Sequence, residues 1–279
     1  MKLGFFWRLT VLALCFTAFG VGGIIFRITL FPLLKLVPGA THQRQVRTRR
    51  FIHRFFWLVI VVLRVTRFMV LDVRYVERLQ NSAGKLILAN HPSYLDVVVL
   101  LGLVPEANCV VKDGLWRSWF FGGVVRSTGY VSNSDADRLV DDCAQVLRNG
   151  DSLLIFPEGT RTVPGQPLQL QRGAARIALR AESEIIPVIM TCDPPVLAKG
   201  FRLTRIARQP FSMSLEVESA LGLDALGIAA KQEEARAARQ LTRTLTDYFT
   251  RQLERYERPA SGNQTVDHRI LEPRRSNAG

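Results

Sequence analysis

Histidine and cysteine are scarce in this chain, with four of each in 279 residues. Cys15, Cys109, Cys143 and Cys192 stand far apart, so none can pair as a metal knuckle or a two-residue-spaced redox motif; reduced, buried thiols are the economical reading. His42, His53, His91 and His268 show no metal-ligand spacing, and no metal site is expected. Acid is scarce as well: 24 Asp and Glu face 37 Lys and Arg, a formal charge of +13. That surplus favours an anionic partner, either nucleic acid or an acidic membrane surface. The arginines cluster beside apolar segments and no nucleic-acid-binding motif accompanies them, so nucleic acid is not expected as a partner. There is no internal repeat.

What the chain has in quantity is apolar sequence, 48% of all residues, with length for one large domain or two small ones. Residues 9 to 26, "LTVLALCFTAFGVGGIIF", carry no charge and approach the length of about 20 residues that a membrane span needs. Lys2 and Arg8 would equally serve the charged start of a cleaved signal peptide, although no small-x-small cleavage site follows convincingly. Residues 51 to 71, "FIHRFFWLVIVVLRVTRFMVL", are apolar but broken by Arg54, Arg64 and Arg67; they read as an interfacial helix with snorkelling arginines, or alternatively as an ordinary core helix. Between them "THQRQVRTRR" supplies Arg44, Arg47, Arg49 and Arg50, a cluster suited to an anionic leaflet and, by the positive-inside tendency, to the cytoplasmic side. Residues 1–71 are therefore expected to form a membrane-associated helical anchor at the inner (cytoplasmic) membrane, with membrane lipids as partners.

From about residue 72 short apolar runs alternate with helical patterns. Strands are expected at "KLILAN" (85–90), "NCVVK" (108–112), "YVS" (130–132), "DSLLIFP" (151–157) and "IIPVIM" (185–190), with helices at "YLDVVVLLGLV", "ADRLVDDCAQVLRNG" (136–150) and "RGAARIALRAES" (172–183). "FSMSLEVES" (211–219) alternates in period two, as a strand near a sheet edge would. Continuous apolar strands between helices predict an α/β fold, a mixed sheet covered by helices over residues 72–220. A charged helix is expected within 221–258, and residues 259–279, rich in Arg, Pro, Ser and Asn, read as a disordered tail.

Two stretches at strand ends carry chemistry. In "HPSYLD" (91–96) a loop before the helix, with Pro92 in its first turn, would fold the His91 imidazole over Asp96. Asp96 would then accept Nδ1–H and leave Nε2 free as a base. The plain alternative is a strand end followed by a proline-started helix with a carboxylate in its first turn. In "FPEGTRT" (156–162) a tight turn at Pro157 and Gly159 presents Glu158, Thr160 and Arg161, a suitable cradle for an oxyanion or phosphate. Its alternative is a surface turn held by a Glu158–Arg161 ion pair.

Together, "HPSYLD" and the later "FPEGTR" resemble the paired signatures of the glycerolipid acyltransferase family, which includes the lysophosphatidate acyltransferases. "QRGAARIA" (171–178) and "IIPVIM" extend the likeness, which covers roughly residues 72 to 220. The resemblance implies that His91 deprotonates the acceptor hydroxyl, Asp96 orients His91, and the hydroxyl attacks an acyl thioester directly. It implies that Glu158, Gly159, Thr160 and Arg161 bind the acceptor's phosphate or polar head, assisted by Arg172. No cofactor is implied beyond acyl-CoA or acyl carrier protein as co-substrate, and the partner is a lysolipid acceptor. One departure stands out: Asn133 and Ser134 occupy the place where the family's acid and phosphate-holding arginine are expected. Asparagine cannot replace a bidentate guanidinium, which leaves the acceptor open between a different lysolipid and a hydroxylated non-glycerol lipid, with a silent lipid-binding role as a further alternative.

Overall fold

The structure, a computed structural model, describes residues 38–163, 165–197, 210–228 and 233–257, with scattered positions between 7 and 29. Much of the apolar run 9–26 and the tail 259–279 lie outside the described residues. In chain order the elements are α1 (Thr41–Val65), β1 (Met69–Arg74), a 3-10 turn (Val76–Asn81), β2 (Leu86–Ala89), α2 (Leu95–Leu103), β3 (Asn108–Val111) and α3 (Asp113–Trp116). They continue as α4 (Gly122–Thr128), β4 (Val131–Ser132), α5 (Ala136–Arg148), β5 (Leu153–Ile155), α6 (Arg172–Ala181), β6 (Ile185–Asp193), β7 (Phe211–Val217) and α7 (Glu234–Glu257).

Among the described residues the strands form one seven-stranded sheet ordered β1-β7-β6-β2-β5-β3-β4. Every pairing is parallel except β6 with β7. Helices cover both faces, which is why the central strands read as unbroken apolar runs. Along β2, Leu86 and Leu88 pack toward Val140, Cys143 and Leu147 of α5, Ile177 of α6, and Leu241 and Phe249 of α7. Ile87 and Ala89 point the other way, toward Ile60 and Leu63 of α1 and Val99 and Leu100 of α2. All four β2 residues are completely buried. The mixed α/β sheet covered by helices is the architecture the sequence predicts.

Two details differ from the sequence reading. The run 51–71 is not one helix: α1 begins ten residues earlier, at Thr41, and stops at Val65, and Met69–Leu71 open β1. An apolar run hides this break because it has no composition shift to mark it; the reversal is made by Arg67 at φ +55. The strand 211–217 does stand near the sheet edge, one position in, because β1 pairs alongside it in parallel from Met69↔Phe211 to Arg74↔Glu216. The arginine cluster is also not uniformly turned outward. The Arg49 guanidinium is buried and donates to Asp151 Oδ2 at 3.0 Å, and Arg50 pairs with Glu106.

Helix α1 lies directly against α2. A Cβ placed on Gly102 would sit 2.6 Å from Ile60 Cδ1 and 3.1 Å from the Trp57 backbone nitrogen. Glycine is what permits that approach. On its outer side α1 exposes Phe51, Trp57, Leu58, Val62 and Val65. Among the described residues no helix is long and apolar enough to cross a membrane.

Candidate active site

The site is built where β2 and β5, parallel neighbours with Leu88 opposite Ile155, run out at the same edge of the sheet. Carboxyl ends of parallel strands are where open α/β sheets place ligands, since loops there are free of the ladder. Asn90 closes β2. Its side-chain Nδ2 donates to Met190 O at 2.8 Å and its Oδ1 accepts from Met190 N–H at 2.7 Å, so a buried amide continues the β2–β6 pairing by one step. This fixes the chain where His91 leaves the sheet.

Residues 91–94 form a bend, and α2 starts at Leu95, later than a helix opened by Pro92 would. Asp96 therefore sits in the first turn, directly behind the bend, with its side chain wholly excluded from solvent. Its Oδ2 takes two hydrogen bonds, from Ser93 N–H at 2.7 Å and from His91 Nδ1 at 3.0 Å. Its Oδ1 is buried without a partner among the described residues. Burial pushes the Asp96 carboxyl above its ordinary range, while the hydrogen bonds from His91 and Ser93 act to hold it ionised. The ring of His91 also stacks on Phe156, centroids 4.3 Å apart, so its plane is set by packing as well as by the carboxylate. Since Nδ1–H is committed to Asp96, the imidazole carries its free lone pair on Nε2.

The second stretch is tied to the first through the backbone. Glu158 Oε1 accepts from His91 N–H at 2.9 Å and from the Thr162 hydroxyl at 2.7 Å, and Thr162 N–H donates to His91 O at 2.8 Å. Glu158 is buried, and burial raises its carboxyl above the usual range. No Glu158–Arg161 ion pair forms; the carboxylate is used to clamp the histidine loop. Gly159 turns the chain at φ +68, a conformation that favours glycine, and Thr160 beside it is exposed. Arg161 Nη1 donates to Leu197 O at 2.8 Å, and the guanidinium lies 3.8 Å over the Tyr94 ring. Arg172 opens α6 and is exposed; the preceding Gln171 N–H donates to Pro157 O at 2.7 Å, which seats the positive end of that helix against the turn.

His91, Asp96, Glu158 and Thr162 thus meet in one hydrogen-bonded group, with Gly159, Thr160, Arg161 and Arg172 in or beside the adjoining turn. Sequence reasoning passed over Asn90, Tyr94, Phe156 and Thr162. Each lies inside or next to the two quoted stretches, but partners 100, 67 or 65 positions away cannot be read from spacing. Asn133, in the stretch where the acid and arginine are expected, accepts a hydrogen bond from Asp113 N–H at 2.8 Å and so caps α3. Cys192 is half-buried and its thiol is pushed up to about 11 by burial, leaving it an inert neighbour. Among the described residues no group of His, Cys, Asp or Glu is arranged to hold a metal ion.

Residues 70–191, which contain every one of these groups from Asn90 to Met190, match the family model described as Acyltransferase. A 1-acyl-sn-glycerol-3-phosphate acyltransferase of Helicobacter pylori is 32% identical over 117 residues, 39% of this chain and 49% of that protein. A chloroplastic one from Brassica napus is 26% identical over 160 residues, 55% of this chain and 46% of that protein. The chain therefore spans about half the length of these relatives. A crystal structure of the 1-acyl-sn-glycerophosphate (LPA) acyltransferase PlsC from Thermotoga maritima shares the fold, with a TM-score of 0.68 over 92% of this chain and 100% of that one at 17% identity. The paired stretches 91–96 and 156–162 lie inside the matched region, so it is residues 70–191 of this chain that are similar to the Acyltransferase family model and to these glycerolipid acyltransferases.

Proposed function

We propose that this chain transfers an acyl group from a thioester, carried by coenzyme A or acyl carrier protein, to the free hydroxyl of a lysophosphatidate-like lipid. The observation that carries the reading is the His91–Asp96 pair, Nδ1 to Oδ2 at 3.0 Å behind a buried carboxylate. His91 Nε2 takes the hydroxyl proton as the oxygen attacks the thioester carbonyl. An ester C–O bond forms, the C–S bond breaks, and the imidazolium returns the proton to the departing thiolate. Asp96 holds the tautomer and offsets the positive charge that His91 acquires in the transition state. Glu158 and Thr162 keep the loop that carries His91 in register with the turn 157–162. Arg161, with Gly159, Thr160 and Arg172 beside it, supplies the cradle for the acceptor's anionic head. The scheme needs no metal.

A lysolipid presents its hydroxyl at headgroup depth, so the reading includes attachment to a membrane surface, at the cytoplasmic face of the inner membrane. Its support is the exposed row Phe51, Trp57, Leu58, Val62 and Val65 on α1, interspersed with the exposed Arg54 and followed by Arg67. One observation favours a second acceptor class, a hydroxylated lipid without phosphate: Asn133 caps α3, leaving no cation at that position. Thiol release from acyl-CoA, followed on lysophosphatidate and on a phosphate-free monoacylglycerol, separates the two. His91→Ala is expected to lose about 10²–10⁴ of the rate while remaining folded. Near-normal turnover by a folded His91→Ala protein would overturn the mechanism, and turnover of the monoacylglycerol alone would assign the second acceptor class.

A further inference from the structure

We propose that Tyr94 is a positioning residue for acceptor recognition, its ring face holding the Arg161 guanidinium ready for the lipid's anionic head; this rests on the phosphate-bearing acceptor reading above. Tyr94 is 57% exposed, and its hydroxyl makes no hydrogen bond among the described residues, so neither packing nor polar bonding accounts for a tyrosine there. What the ring does is lie 3.8 Å beneath the Arg161 guanidinium carbon. The Leu197 carbonyl takes one Nη1–H at 2.8 Å. These two supports come from separate segments, the bend before α2 and the chain after β6. They restrict a long, flexible side chain in two directions: the ring fixes the plane and the carbonyl fixes rotation within it.

The geometry leaves the right atoms free. A guanidinium presents five N–H donors around its edge and none on its faces. An aromatic ring occupies a face, whereas phosphate oxygens approach the edge as a bidentate pair. The stack and the anion therefore do not compete. Arg161 is also held close to the base, because its neighbour Thr162 donates its N–H to His91 O at 2.8 Å, and Tyr94 lies three residues beyond His91. One short segment, 91–96, thus supplies the base, its carboxylate and the platform for the head-group cation.

The test is steady-state kinetics of full-length protein in mixed micelles, with lysophosphatidate and a phosphate-free monoacylglycerol as acceptors. Tyr94→Leu fills the space without a ring and is expected to raise KM for lysophosphatidate about two- to fivefold, the scale of a partly exposed cation–π contact. The smaller change is expected in kcat, and the ratio of KM values for the two acceptors shifts toward the phosphate-free lipid. Tyr94→Phe, which keeps the ring face, restores the wild-type KM. In an Arg161→Ala background Tyr94→Leu adds nothing further, because the ring acts through the arginine. If wild-type protein uses lysophosphatidate but Tyr94→Leu matches it, or impairs both acceptors equally, or adds its full effect without Arg161, the positioning role is overturned alone. If wild-type protein ignores lysophosphatidate and acylates only the monoacylglycerol, the acceptor reading fails and the head-group role falls with it.

Discussion

Asp96→Asn separates the geometry of the proposed catalytic pair from its charge. Both hydrogen bonds to Asp96, from Ser93 N–H at 2.7 Å and His91 Nδ1 at 3.0 Å, fall on the single oxygen Oδ2, while Oδ1 is buried and unpartnered. An asparagine can therefore sit in two ways. With its carbonyl at the Oδ2 position it keeps both bonds and the productive tautomer, but leaves two amide N–H donors buried where Oδ1 was, at a cost of about 1–3 kcal/mol. Flipped, its NH2 faces the Ser93 N–H, a donor against a donor, and invites His91 Nδ1 to accept, which moves the ring proton to Nε2 and removes the base. Either way no negative charge remains to offset the imidazolium formed during attack. The expected result is a fall in kcat of about 10²–10⁴, or about 2.7–5.5 kcal/mol of transition-state stabilisation. Stability should change little in net terms, because burial of the ionised carboxyl is itself unfavourable, as its raised pKa shows, and the substitution removes that cost. The assay is thiol release under acceptor saturation, paired with a thermal melt. An Asp96→Asn protein with a wild-type melting temperature and more than about a tenth of wild-type kcat would refute the assignment of Asp96 as the charge partner of His91.

Three further outcomes follow from individual contacts. Thr162→Val removes one of the two bonds to buried Glu158 Oε1; a stability loss of about 1–3 kcal/mol is expected, with kcat reduced more than KM because the His91 loop loosens, and a KM effect alone would argue against a clamp. Gly102→Ala would put a methyl 2.6 Å from Ile60 Cδ1 and close to the α1 backbone, so α1 must shift from α2 at about 1–3 kcal/mol; an unchanged melting temperature would show that the two helices are not in the close contact described. His53, half-buried on α1 with Nδ1 donating to Leu101 O at 3.2 Å, has its pKa lowered by burial. The unfolded chain takes up that proton as pH falls through about 6.5, before the folded protein does, so stability declines below that pH. His53→Gln should remove this component from the stability–pH curve, and an unaltered slope between pH 7 and 5.5 would contradict it.

Much of the sheet was legible because burial on both faces leaves a signature in one dimension. Residues 86–89, 153–155 and 185–190 are apolar without interruption because helices cover them above and below. The contact between His91 and Asp96 was legible for a related reason: five residues of chain can close on themselves, so the two side chains needed only the bend between them. β1 was not legible, since the same apolar composition serves the end of α1 and an edge strand, and only pairing with Phe211–Glu216 distinguishes them. Arg49 reads from sequence as one more surface cation, yet Asp151 just before β5, 102 positions away, draws it inside. The sequence by itself determined which segments are buried and where two polar stretches follow buried strands, because hydrophobic periodicity and short-range loops are local properties. Only the tertiary structure decided that Glu158 clamps the histidine loop, that Asn90 locks β2 to β6 and that Tyr94 backs Arg161, because hydrogen-bond and stacking partners are chosen by proximity in space after the sheet has formed.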